Sequence, residues 1–98
     1  MRTVIETPTF QRQAERFWSA DDRLAFISWI AANPLAGDVI PGAEGARKVR
    51  WALRGAGKRG GARIIYFNFA EDGTVLLVMM YIKAERDDVK RVDIGRAT

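Results

Sequence analysis

Lys48 and Arg50 stand two residues apart in the stretch Arg47-Lys-Val-Arg-Trp51, and Arg63 opens a second apolar stretch downstream, RIIYFNF. A spacing of two puts Lys48 and Arg50 on the same side of an extended strand. If the two stretches pair through a hairpin, Arg63 stands beside them. Three cations on one open surface can grip a phosphodiester and stabilise the added negative charge of its pentacovalent transition state. Crowding of like charges also favours the neutral amine of a lysine. A lysine in such a cluster is a candidate general base on a ribose 2′-hydroxyl. Surface solubility accounts equally well for Lys48 and Arg50. An arginine inside an otherwise apolar strand is harder to explain that way.

Two further groups carry chemistry. The loop Arg54-Gly-Ala-Gly-Lys-Arg-Gly-Gly61 combines glycines, whose amides can approach a phosphate, with Arg54, Lys58 and Arg59. It lacks the spacing of a P-loop, and it lies between two strands rather than before a helix, so it does not mark a dinucleotide fold. A charged, flexible hairpin loop is the plain alternative. At the end of the last apolar strand, Tyr81, Lys83 and Glu85 alternate, so a continued strand would place them on one side. Glu85 would then serve as base and Lys83 as acid or phosphate ligand; a simple strand-to-tail junction is the alternative. Arg47 extends the basic stretch as a further phosphate contact. Tyr66 and Phe67 fall on opposite faces of one strand, so one of them can stack on a base, and Tyr66 is the expected RNA contact together with Tyr81.

Composition narrows the chemistry. Among the 98 residues there is neither histidine nor cysteine. The commonest general base near neutral pH and the commonest metal ligand are therefore missing, as are disulfides. The acids are scattered, so no metal and no cofactor is expected. The net charge is +4, but residues 45–70 hold seven bases (Arg47, Lys48, Arg50, Arg54, Lys58, Arg59, Arg63) and no acid. Such a patch suits a polyphosphate partner, with a solvated basic surface as the bland reading. The N-terminal MRTVIETPTF does not read as a leader. The apolar run Val75–Ile82 is far shorter than the roughly 20 residues of a membrane helix. A cytoplasmic protein with no membrane partner is expected.

These side chains need a scaffold. Residues 2–6 read as a strand. Thr7 is an expected N-cap with Pro8 at the first helical position, and Phe10, Ala14, Phe17 and Trp18 recur at helical spacing. Ser19 opens a second helix whose buried face is read as Leu24, Ile27, Ile30 and Ala31, and Asn33-Pro34 stops it. Residues 34–45 read as a loop. Period-two alternation then predicts a strand at Arg47–Leu53; RIIYFNF (Arg63–Phe69) reads as a second strand, Glu71-Asp72-Gly73 as a hairpin turn, and the nearly all-apolar Val75–Ile82 as a central strand covered on both faces. Phe17, Trp18, Phe26, Trp29 and Trp51 read as core. From Lys83 the chain is charged and reads as a short helix or a frayed tail, with 89–98 as its end. The order β-α-α-β-β-β implies a single α+β domain over 1–98, two N-terminal helices packed on one face of a small, mainly antiparallel sheet.

The strings VIPGAEGARKVRW, GKRGGARIIYF and LLVMMYIKAERDD resemble the RelE/ParE toxin superfamily, in its HigB/RelE-like branch, and the likeness runs from the first strand to about Asp88. The resemblance implies a toxin of a type II toxin–antitoxin system that cuts mRNA on the ribosome. It also implies a cognate antitoxin, in this branch often a helix-turn-helix protein. In RelE-type nucleases, basic residues of the meander strands ligate the scissile phosphate, and these correspond to Lys48, Arg50 and Arg63. The family's late arginine falls at Ala84 and its C-terminal tyrosine near Lys90, which leaves Lys83, Glu85 and Lys58 as substitutes. Two other readings remain on the same fold: a ParE-type gyrase-inhibiting toxin, and a non-catalytic RNA-binding or regulatory domain.

Overall fold

Thr7 starts the first helix and at the same time ties it to the sheet. Its side-chain oxygen accepts the Phe10 amide (3.0 Å) and its hydroxyl donates to the Val78 carbonyl (2.6 Å). Pro8 follows at the first position, where a missing amide costs nothing, and helix α1 runs Pro8–Phe17. Ser19 caps helix α2, Ala20–Ala32, by accepting the Asp22 amide, with Asp21 and Asp22 in the first turn favoured by the helix dipole. Asn33 closes it, its side chain donating to the Trp29 carbonyl. The protein is described from a computed structural model, over residues 2–51, 61–82 and 90–98.

The strands are β1 (Thr3–Glu6), β2 (Asp38–Val39), β3 (Arg47–Trp51), β4 (Ala62–Phe69) and β5 (Thr74–Ile82), and a third helix, α3, spans Arg91–Ala97. They form one sheet in the order β1-β5-β4-β3-β2, with β1 parallel to β5 and the other pairs antiparallel. The result is α+β, as expected, with one strand more than the sequence suggested. β2 is only two residues long and sits inside the 34–45 loop, too short to show alternation. A short 3-10 turn at Ala70–Asp72 and the left-handed Gly73 (φ 65°) connect β4 to β5.

The two sheet faces are covered unequally. On one, Phe10, Ala14, Trp18, Phe26 and Ile30 of the first two helices pack on Val49, Ile64, Tyr66, Val75, Leu77 and Met80. Trp29 and Trp51 join this core at its margin, their rings 5.2 Å apart. The other face carries a second cluster in which Ile94 and Ala97 of α3, with Ala43 and Ala46, cover Ile65, Val78, Met79 and Tyr81. A bulge joins the two patterns: Ile65 faces Met79 and Tyr66 faces Leu77, so Val78 is the extra residue. Leu24 does not face the core as read from periodicity; it is 62 % exposed, and Phe26 takes its place. The apolar residues of α2 surround the helix, so spacing alone cannot say which of them turns inward. Among the described residues no helix is long and apolar enough to cross a membrane.

Candidate nucleic-acid interface

Register decides which side each cation takes. Residues directly opposite on neighbouring strands share a face. Arg50 is opposite Arg63, and Arg63 is opposite Tyr81. One step along, Lys48 is opposite Ile65, and Ile65 is opposite Met79. Val49 and Ile64, between them, belong to the helix-covered core. Lys48, Arg50 and Arg63 therefore lie together on the face that α1 and α2 leave uncovered. Arg50 is exposed, while Lys48 and Arg63 are half-buried. The Arg63 guanidinium donates to the Gly61 carbonyl (3.0 Å), the one hydrogen bond it makes among the described residues.

Three expected contacts take other roles. Tyr66 is fully buried on the helix side, so no base can stack on it. Its hydroxyl donates to the Pro34 carbonyl (2.9 Å) and accepts the Gly37 amide (2.8 Å). Burial raises its pKa above the usual phenol value, opposed by the Gly37 amide and the Arg47 charge. Arg47 lies opposite Tyr66 on that same helix side. Its guanidinium donates to the carbonyls of Gly37 (2.7 Å) and Leu35 (3.5 Å) rather than facing the open surface. Tyr81 is on the cationic face but only 6 % exposed, which makes it floor rather than stacking platform. Phe67 and Phe69 also lie on this face, further along β4, with their rings stacked at 5.8 Å. Arg54, Lys58, Arg59, Lys83, Glu85 and Ala84 lie outside the described residues, while Lys90 precedes α3 as its N-cap.

Sequence reasoning passed over Asp38. Pairing of β2 with β3 sets it directly opposite Lys48, hence on the cationic face. The residue before it is clamped. Gly37 is buried, and its amide and carbonyl are held by Tyr66 and Arg47. A Cβ on Gly37 would stand 2.8 Å from the Tyr66 ring and 2.9 Å from the Lys48 carbonyl, so only glycine lets the loop lie this close to β3. An isolated acid in a Gly/Pro loop carries no local signal of this, because only strand register brings it to the cations. No group of three or more potential metal ligands converges among the described residues. A groove of about 700 Å3 lies further along β4, lined by Phe67, Phe69, Glu44, Arg91 and Val92, away from the Arg50–Arg63 row.

No model of a known protein family matches the chain. Solved structures do match its fold. A mutant of the Escherichia coli toxin RelE in the free state superposes with a TM-score of 0.63 at 13 % identity, over 88 % of this chain and 87 % of that one. The intact E. coli RelBE toxin–antitoxin complex gives 0.61 at 14 % identity, over 82 % and 94 %. The RelBE2 toxin–antitoxin complex of Mycobacterium tuberculosis gives 0.58 at 20 % identity, over 83 % and 96 %. The chain thus has a RelE-like fold.

Proposed function

We propose that this RelE-like chain is the toxin of a type II toxin–antitoxin system and an endoribonuclease that cuts mRNA on the ribosome. The observation that carries the reading is the shared face of Lys48, Arg50 and Arg63 on a sheet whose other side is filled by helices. The cations sit on strands, and strands hold side chains in place better than loops do. A phosphodiester laid across β3 and β4 meets Arg50 and Arg63 side by side, with Lys48 one step along. Arginine forks suit two phosphate oxygens at once, and the same contacts strengthen as charge accumulates in the transition state. The nucleophile is the substrate's own 2′-hydroxyl, so the protein need supply only charge, position and proton transfer. The partner that restrains it is an antitoxin, with a helix-turn-helix protein as the expected type, and the working site is a ribosome carrying mRNA.

Expression of the chain alone tests the proposal. Growth and labelling of new protein should stop before DNA synthesis falls, and primer extension should show new mRNA ends within reading frames. Arg63→Ala, checked for folding by circular dichroism, should relieve the arrest. Loss of DNA synthesis first would point instead to gyrase, and a folded, equally toxic Arg63→Ala would remove Arg63 from the site.

A further inference from the structure

We propose that Asp38 is the general base of this site; the inference rests on the nuclease reading above. Three observations lead to it. First, the chain has no histidine, so a proton acceptor must come from another residue type. Second, register places Asp38 opposite Lys48 on the cationic face. Directly opposed side chains start about 5 Å apart, and diagonal ones about 7–8 Å, so the Asp38 side chain leaves the sheet on the same face as Lys48, one diagonal step from Arg50. Third, its position is built rather than incidental. Tyr66, buried, and Arg47 fasten the two polar backbone groups of Gly37, and the missing Cβ of Gly37 lets the loop close onto β3. The clamp fixes the stretch of backbone from which the exposed Asp38 side chain leaves, beside β3.

The sheet order supplies the direction of attack. Across the cationic face the strands run β2, β3, β4, β5. A phosphate held by Lys48, Arg50 and Arg63 lies over β3 and β4, with Asp38 on the β2 flank. Attack by the 2′-oxygen and departure of the 5′-oxygen take opposite sides of the phosphorus. Asp38 removes the 2′-hydroxyl proton on the β2 side as the 2′-oxygen bonds to phosphorus. The bond to the 5′-oxygen breaks on the β5 side, and that oxygen takes a proton from solvent. The product is a 2′,3′-cyclic phosphate and a free 5′-hydroxyl, and the proton on Asp38 returns to solvent. No metal or oxidant enters the balance.

The role has a signature that lost electrostatics or misfolding lacks. Asp38→Asn removes a negative charge from a cationic face, so RNA binding should hold or tighten while cutting slows. On ribosomes programmed with mRNA, under single-turnover conditions and saturating protein, Asp38→Asn should cut about 100-fold more slowly or worse. Asp38→Glu should recover part of the rate, and Glu15→Gln, an exposed helix position with the same charge change, should cut like the wild type. Filter binding of the same mRNA fragment should show no loss of affinity for Asp38→Asn, and its melting temperature should match the wild type. An Asp38→Asn chain that cuts at the wild-type rate, or slows only in step with weaker binding, overturns the assignment while leaving the nuclease. A wild-type chain that binds programmed ribosomes without cutting overturns both.

Discussion

Tyr66 does at residue scale what its position among the bases hid: it fastens a loop. Its hydroxyl satisfies both Gly37 N–H and Pro34 C=O in a buried setting. Tyr66→Phe removes one partner and leaves two backbone groups unpaired, an expected loss of about 2 kcal/mol in urea unfolding at pH 7. The same side chain sets a pH dependence. Its pKa is raised in the folded state above the ordinary 10.0, so the folded state holds the proton more tightly. That contribution is complete below pH 10 and fades as the pH climbs through the raised value. Wild-type stability should therefore fall above pH 10 more steeply than that of Tyr66→Phe, by urea midpoints measured side by side. Gly37→Ala tests the close approach itself. Its Cβ would meet Tyr66 at 2.8 Å and the Lys48 backbone at 2.9 Å, and an overlap of that kind costs about 1–3 kcal/mol.

At the scale of elements, β1 covers only part of the edge of β5. β1 pairs with β5 only as far as Glu6 and Leu77. Beyond that point the edge of β5 is capped by side chains of α1. Thr7 takes up the Val78 carbonyl, and Gln13 accepts the Met80 amide (2.8 Å). Unpaired strand edges invite pairing with other chains, so these two residues protect the sheet as well as positioning the helix. Arg23 of α2 adds a partly buried ion pair to Glu6 of β1 at 2.8 Å. Thr7→Ala loses the helix cap and the strand cap together. Thermal unfolding should show a loss of about 2 kcal/mol, the upper end for a lost N-cap, with Thr7→Ser keeping most of the stability because its hydroxyl makes both bonds.

On the scale of the molecule, charge and shape divide the protein into two faces. One side of the sheet is filled by α1 and α2. The other is shared between α3 with its apolar cluster and the row of cations at the end of β3 and β4. If single-stranded RNA lies on that row, each phosphate contact releases counterions, and log affinity falls with log salt by about 0.7 per contact. Arg50→Ala should lower that slope by about one contact in filter-binding titrations from low to moderate salt. Arg47→Ala should leave it nearly unchanged, because its guanidinium is turned to Gly37 and Leu35 on the other side of the sheet.

Local order was legible in the residues themselves. Thr7-Pro8, Ser19 and Asn33-Pro34 mark helix ends by chemistry that acts over a few residues. Alternation marks β3 because a strand repeats every two residues, and continuous apolar runs between turn signals mark β4 and β5. The choice of face for Lys48, Arg50 and Arg63 also follows from that repeat once the strands pair in the observed register. Asp38, Arg47 and Tyr66 were different. Their roles depend on which strand lies beside which, on a two-residue strand with no periodicity of its own, and on a hydroxyl reaching a loop 32 positions away in sequence. Sequence alone determined the longer helices and strands and the store of positive charge, since both arise from short-range preferences. Tertiary structure alone decided which cation faces outward and which carboxylate stands beside it, because those depend on contacts between residues that the chain keeps far apart.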